Sequence, residues 1–304
     1  MSSKYDLITI LGPTASGKTQ LATHVASKLN GEIISGDSRQ VYRNMSLGTG
    51  KDLEDYIVEN TPIPYHLIDI VDAGYKYNVY EYQKDFFRVY EEITKRENQP
   101  ILCGGSGLYL ESVIRGYRLI AVPDNSELRK WMKDQSEDDL IKMLASYKIL
   151  HNQTDTSNRK RLERAIEIEE YYSKHNVDET PFPKINNIVF GVRYTRNNER
   201  KRITCRLKQR LNNGMVDEVK TLLESGIKAE DLIYYGLEYK YLTLYIQGQI
   251  SWDEMFNQLN TAIAQFSKRQ MTWFRRMERN GIEINWIQGN LPLADKVNIV
   301  LNRL

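Results

Sequence analysis

The chain of 304 residues has two cysteines, four histidines and no long apolar run, and each shortage excludes a class of protein. Cys103 and Cys205 stand alone without C-x-x-C spacing. They build neither a disulfide framework nor a thiolate zinc site, and they fit a reducing compartment. No stretch approaches the roughly 18 apolar residues that a transmembrane helix needs, and the start MSSKYD has no apolar signal segment. A cytoplasmic protein without membrane attachment is expected. Excess charge is lacking too: 42 Lys and Arg against 40 Asp and Glu leave a net charge of +2. Bulk electrostatics therefore announce no nucleic-acid binder, and only local clustering could. There are no repeats or low-complexity tracts. The length is ample for a large hydrophobic interior that needs no covalent staples.

What is present begins with GPTASGKT, the residues Gly12, Pro13, Thr14, Ala15, Ser16, Gly17, Lys18 and Thr19. They match the phosphate-loop pattern G-x-x-x-x-G-K-[ST]. The glycines let the backbone turn its N–H groups towards a diphosphate, Lys18 adds a point charge, and the Thr19 hydroxyl suits Mg²⁺. Leu7–Leu11 reads as a buried strand before the loop, and Lys18–Leu29 as a helix after it, whose N-terminal dipole favours anions.

Short apolar runs recur at 32–35, 66–70, 101–105 and 187–192, with helical patterns over 78–96 and 106–115. Such alternation predicts an α/β fold: a P-loop NTPase-like core whose parallel sheet is wrapped by helices. Between AVPDNSEL and PFPK the chain holds no strand candidate but three helical ones, around 126–133, 136–146 and 158–173. A helical insertion domain is therefore expected over residues 123–183, with the core at 1–122 and 184–304. Further helices follow, including a long amphipathic one over 252–279, then a strand at 282–286 and a last helix from 291.

Basic residues cluster in three places. Residues 193–210 hold eight against the single acid Glu199, residues 158–164 hold four, and residues 268–279 hold five, with Trp273 and Phe274 interleaved. Arg202, Arg206 and Arg210 lie four apart, so they line one helical stripe beside the apolar stripe Ile203, Leu207 and Leu211. Any single run reads as a solvated face; three in a nearly neutral chain point to an RNA or phosphate surface.

Asp37 follows the second apolar run, in DSRQVY. At the carboxyl edge of an open α/β sheet, where ligands gather, it could organise Mg²⁺ and water as in nucleotide kinases, and Asp69 is a second candidate for that task. Spacing alone does not choose.

With GPTASGKT, the strings DSRQVYRNMSLGTGK at 37–51, YHLIDI at 65–70, GGSGLYL at 104–110, NRKRLERAIEI at 158–168 and KRQMTWFR at 268–275 stand in order along the chain. In this the sequence resembles the tRNA dimethylallyltransferases over essentially its whole length. The resemblance implies transfer of a dimethylallyl group from dimethylallyl diphosphate to N6 of the adenosine immediately 3′ of the anticodon. It makes Asp37 the base, places Arg206 on the leaving pyrophosphate, and gives the loop, Lys18, Thr19 and Mg²⁺ the diphosphate. Ser106, with its hydroxyl where the family usually has threonine, joins Asp37 and Arg206 at the catalytic centre. Asp37, Ser38, Arg39, Gln40 and Ser106 would meet the tRNA, as would Lys160, Arg161, Leu162, Glu163 and Arg164, and Lys268, Arg269, Gln270, Trp273 and Arg275. The anticodon stem-loop is the implied partner, and a monomer is expected. GTGKD replaces the usual G-T-A-K-P, and YYGLEYK at 234–240 replaces a V-G-Y-R type string. The competing readings are an adenylate isopentenyltransferase acting on a free nucleotide, a P-loop kinase, and a non-catalytic RNA-binding ATPase.

Overall fold

The computed structural model describes residues 4–117, 119–150, 156, 158–175 and 185–304. The expected boundary at 183–184 lies outside them. The chain divides into two compact units, Met1–Tyr117 with Pro183–Leu304, and Arg118–Phe182.

In the larger unit, β1 (Leu7–Leu11) leads to α1 (Lys18–Leu29) and β2 (Gly31–Gly36). A 3-10 turn, Leu53–Tyr56, precedes the short strands β3 (Ile57–Val58), β4 (Thr61–Pro62) and β5 (Tyr65–His66). Then come α2 (Val79–Lys95), β6 (Gln99–Gly104) and α3 (Gly107–Ile114). The smaller unit holds α4 (Ser126–Lys133), α5 (Glu137–Tyr147) and α6 (Arg159–Lys174). The larger unit resumes with β7 (Asn187–Arg193), α7 (Arg196–Asn212), α8 (Met215–Glu224), α9 (Ala229–Tyr235) and α10 (Leu237–Ile246). It ends with α11 (Trp252–Arg279), β8 (Ile284–Gln288) and α12 (Leu293–Leu301).

Among the described residues six strands form one parallel sheet in the order β5-β2-β6-β1-β7-β8. Side chains alternate across it. Ile8, Ile10, Ile33, Ile101 and Phe190 face one layer, packed with Leu21 and Val25 of α1 and Val300 of α12. Leu7, Leu11, Ile34, Leu102 and Val189 face the other, packed with Phe86 of α2, Leu110 of α3 and Phe274 of α11. Cutting fully buried Phe190 to Ala would cost about 3–5 kcal/mol.

The expected strand over 66–70 stops at His66. Leu67 and Asp69 have φ of 60° and 56°, a left-handed backbone no strand can continue. The pairing Val58↔Thr61 makes a miniature hairpin too short for sequence periodicity to signal.

In the smaller unit α4, α5 and α6 bury Met132, Leu140, Leu144, Leu162 and Ile166. Each helix starts on a side-chain cap, from Asn125, Ser136 and Asn158 respectively. No helix among the described residues is long and apolar enough to cross a membrane.

Candidate active site at the carboxyl edge of the sheet

The parallel sheet sends β1, β2, β6 and β7 to the same edge, and the loops that follow them bring the predicted residues together. Between β1 and α1 the chain turns through Ala15 (φ 60°) and Gly17 (φ 79°), the N-cap of α1. Only a residue without a Cβ adopts the second readily. No side chain caps this helix and no acid sits in its first turn, so its N-terminal dipole is left for an outside anion. The Ser16 hydroxyl is buried without a hydrogen-bond partner. Burial lowers the pKa of the Lys18 ammonium, an effect opposed by the Asp37 carboxylate and reinforced by Arg206. The Cys103 thiol at the end of β6 is itself pushed up to about 12 by burial, and so stays neutral. An unpaired hydroxyl, a poorly solvated cation and an uncapped helix are what a diphosphate would satisfy.

Asp37 follows β2, half-buried, and its Oδ1 accepts from the Arg39 N–H at 2.9 Å. Across from it Ser106 caps the start of α3. Ser106 Oγ accepts from the Ser38 N–H at 3.0 Å and lies 3.2 Å from Ser38 Oγ. The hydroxyl pair therefore ties the two loops at the strand ends. The Arg39 guanidinium lies over the Tyr235 ring at 5.4 Å. Gln40 is committed inwards: its Oε1 accepts from Ser35 and its Nε2 donates to the Gly50 carbonyl.

The cationic stripe of α7 faces the loop. Arg202 Nε donates to the Ala15 carbonyl at 2.8 Å, and Arg206 Nη1 lies 3.5 Å from Thr14 Oγ1. Arg206 Nη2 meets Asp52 Oδ2 at 2.7 Å, and Arg210 Nη2 meets both oxygens of Asp52 at 3.0 and 3.2 Å. Burial, then the neighbouring Arg210, lowers the Arg206 pKa. Burial alone would raise the Asp52 carboxyl, but the two arginines hold it below its ordinary value. A small cavity between the loop and α7 is floored by Ile203, Leu207 and Met215 and edged by Thr14, Arg206 and Glu238. Burial raises the pKa of Glu238. Asp52 and Glu238 were not among the residues expected at the site. Both fall in strings where the chain departs from the resembled pattern, GTGKD and YYGLEYK.

Several residues expected to meet RNA are placed otherwise. Gln270 is 6% exposed; its Oε1 accepts from the Thr14 N–H and its Nε2 donates to the Gly105 carbonyl, both at 2.9 Å. It clamps the phosphate-loop segment to the turn before α3. The buried stripe of α11 reads Met255, Leu259, Ile263, Ser267, Gln270, Phe274 and Met277; of its two polar members Gln270 meets these loops and Ser267 donates to Glu199 of α7. Leu162 is fully buried in the core of the helical unit, where an apolar side chain belongs and RNA cannot reach. Arg164 and Glu163 are held by ion pairs to Glu167 at 3.0 Å and to Arg159 at 2.9 Å. Trp273 is half-buried, with its indole N–H on Glu111 at 2.8 Å. Lys160, Arg161, Lys268, Arg269 and Arg275 are exposed. The α6 and α11 strings thus mix scaffold and free cations.

Among the described residues no group of three or more His, Cys, Asp or Glu side chains gathers as a metal cage. Thr19, at the start of α1, would hold Mg²⁺, an ion that leans on one or two protein groups and the substrate's phosphates.

The parallel sheet, the glycine turn into an uncapped helix and the acid at the end of β2 define an α/β fold of the phosphate-loop type, interrupted by a helical unit. Within that class the chain belongs to the IPP transferase family, whose profile matches residues 40–277. It is 60% identical over 301 residues to the tRNA dimethylallyltransferase 2 of Phocaeicola vulgatus, covering 99% of this chain and 98% of that protein. The crystal structure of the full-length tRNA isopentenylpyrophosphate transferase from Bacillus halodurans superposes with a TM-score of 0.71 at 30% identity, covering 99% of this chain and 95% of that one. A eukaryotic dimethylallyltransferase acting on tRNA superposes with a TM-score of 0.77 at 20% identity, over 93% of this chain and 73% of that one, a likeness of fold.

Proposed function

We propose that the protein transfers the dimethylallyl group of dimethylallyl diphosphate to N6 of the adenosine immediately 3′ of the anticodon in tRNA, releasing pyrophosphate. One observation carries this reading. The half-buried Asp37 carboxylate follows β2 at the carboxyl edge of the sheet, next to the Ser38–Ser106 hydroxyl pair, and its charge acts on Lys18 at the start of an uncapped helix, while Arg206 reaches Thr14 of the same loop.

The diphosphate would lie on the start of α1 with Lys18 and Arg206, near the apolar side chains of Ile203, Leu207 and Met215. Thr19 would hold Mg²⁺, and the bound ion would offset negative charge on the departing diphosphate. As the allylic C–O bond breaks, its electron pair leaves with the pyrophosphate, and Lys18 and Arg206 would answer that growing charge. The adenine amine is a weak nucleophile because its lone pair is delocalised into the ring. Its proton passes to Asp37 as the C–N bond forms. The adenosine must leave its stack to reach that carboxylate, which an unpaired anticodon loop permits at little cost. Lys160 and Arg161 on α6, and Lys268, Arg269 and Arg275 on α11, supply exposed cations for the stem-loop backbone.

The loop here serves as a cradle for two linked phosphates and carries no reader for an adenine base, so ATP competes with the donor and is not consumed. Incubation with labelled dimethylallyl diphosphate, Mg²⁺ and unmodified tRNA, with and without ATP, tests the reading. Label transferred to tRNA in both is the expected result. A strict requirement for ATP hydrolysis, or transfer only to free nucleotide, would defeat it.

A further inference from the structure

Resting on the reading above, we propose that Asp52 is a positioning residue which, clamped between Arg206 and Arg210, fixes the Arg206 guanidinium for the donor's leaving pyrophosphate. The carboxylate takes one end of Arg206, Nη2 at 2.7 Å, and leaves Nη1 on the side of the loop, 3.5 Å from Thr14 Oγ1. An isolated Arg206–Asp52 pair would be neutral and a poor partner for a diphosphate. Arg210, 9% exposed and bound to both Asp52 oxygens, restores a net charge of one. The three side chains therefore act as one oriented cation.

The segment that presents Asp52 is pinned at several points. Glu218 of α8 accepts the N–H groups of Ser46, Leu47 and Gly48 at 2.8, 2.6 and 3.0 Å and the Tyr239 hydroxyl at 2.7 Å. Lys51 is buried and donates to Asp69 and to the Tyr42 carbonyl. Gln40 holds the Gly50 carbonyl. Such a segment does not swing aside to release its carboxylate, which argues for positioning and against a displaceable brake. Gly50 completes the arrangement. Its φ is 72°, and a Cβ there would run into the Nη2 atoms of both Arg206 and Arg210. Gly50 and Asp52 are the two residues by which GTGKD departs from G-T-A-K-P. The geometry explains why they go together: the acid draws the arginines across position 50, and only glycine leaves them room.

The test uses the full chain with Asp52→Asn, Arg210→Gln and the double variant, measuring kcat and KM for prenyl transfer to tRNA, the Kd of inorganic pyrophosphate with Mg²⁺, and thermal melting. Asp52→Asn is expected to lower kcat roughly tenfold, as a misplaced guanidinium does. Its pyrophosphate Kd should stay level or tighten, since a negative charge has gone. A purely structural role would not split the two readouts in that way. Because Arg210 acts through Asp52, the double variant should lose no more kcat than Arg210→Gln alone. Retention of kcat within about twofold in Asp52→Asn, a rise in kcat, or additive losses in the double variant would overturn the proposal. Should Asp52→Asn melt early, Arg210→Gln removes the other end of the clamp, and an unchanged kcat there overturns it equally. Wild-type protein that prenylates no tRNA would retire the prenyl-transfer reading instead, while the pyrophosphate measurements still judge the clamp.

Discussion

The two edges of one parallel sheet treat their charged groups in opposite ways. Where the strands begin, Glu32 is buried and ringed: Arg96 donates to it at 3.0 and 2.8 Å, Asn98 at 2.7 Å, and His66 Nε2 lies 2.6 Å away. Burial alone would raise its pKa, yet the hydrogen bonds from Arg96, Asn98 and His66 bring it to about 2. Where the strands end, Ser16 Oγ has no partner, burial depresses Lys18, and Arg206 is answered at one end only. A satisfied buried charge stabilises the fold, whereas an unsatisfied one lowers stability and is retained where a ligand completes it. The contrast makes the second edge the candidate site.

The sharpest break of this contrast is at Asp37. Asp37→Asn keeps the shape and removes the proton acceptor, so turnover should fall by roughly 10² or more while tRNA affinity changes little. Single-turnover transfer and filter binding on the same preparations measure the two. Near-normal turnover would move the chemistry away from this carboxylate.

Next in size is Arg206. Arg206→Ala removes the cation nearest Thr14 and should reduce kcat/KM for the donor by about 10²-fold, the order found when one transition-state donor is lost. Arg210→Gln should lose roughly tenfold, since its guanidinium reaches only Asp52. Steady-state kinetics against dimethylallyl diphosphate separate the two, and equal losses would make both arginines direct phosphate ligands.

The architecture was readable in the sequence because its signals are local. A strand, a glycine turn and a helix in sequence mark the loop, and alternation of runs marks the parallel sheet. Amphipathic spacing over 252–279 marks α11. What escaped depends on contacts distant in the chain. Gln270 looks like one polar residue in a basic, RNA-like string, and only the fold brings it to Thr14, 256 positions earlier. Asp52 looks like a surface acid until α7 is laid against it. Leu162 and Arg164 share a string with Lys160 and Arg161, but helical phase sends the leucine into the core and the arginine onto Glu167.

That mixture within α6 predicts a smaller, divided effect. Lys160→Gln with Arg161→Gln removes two exposed cations and should weaken tRNA binding several-fold at moderate salt. It should also reduce the slope of log affinity against log salt by about 1–2. Arg164→Gln should leave that slope alone and lower the melting temperature of the helical unit, because Glu167, 2% exposed and held by Arg129 at 2.7 Å, would lose one of its partners. Binding isotherms at several salt concentrations, with melting curves, distinguish free cations from scaffold.

The smallest expected effect tests the quiet edge. The folded-state pKa of Glu32, about 2, lies below its ordinary 4.5, so its contribution to stability is fully present above pH 4.5 and is lost as pH falls from there towards 2. Glu32→Gln removes the charge and leaves Arg96 without its anion, a loss of about 2 kcal/mol at pH 7 that should shrink as both proteins are taken to about pH 3. Turnover per folded molecule should not change, because none of the partners of Glu32 belongs to the loops that hold Asp37 or Lys18. Denaturant melts across pH, with kcat measured at pH 7, decide the matter. If Glu32→Gln lowered kcat while leaving stability intact, the division of labour between the two edges would be wrong, and strain at the beginning of β2 would have to reach the carboxylate at its end.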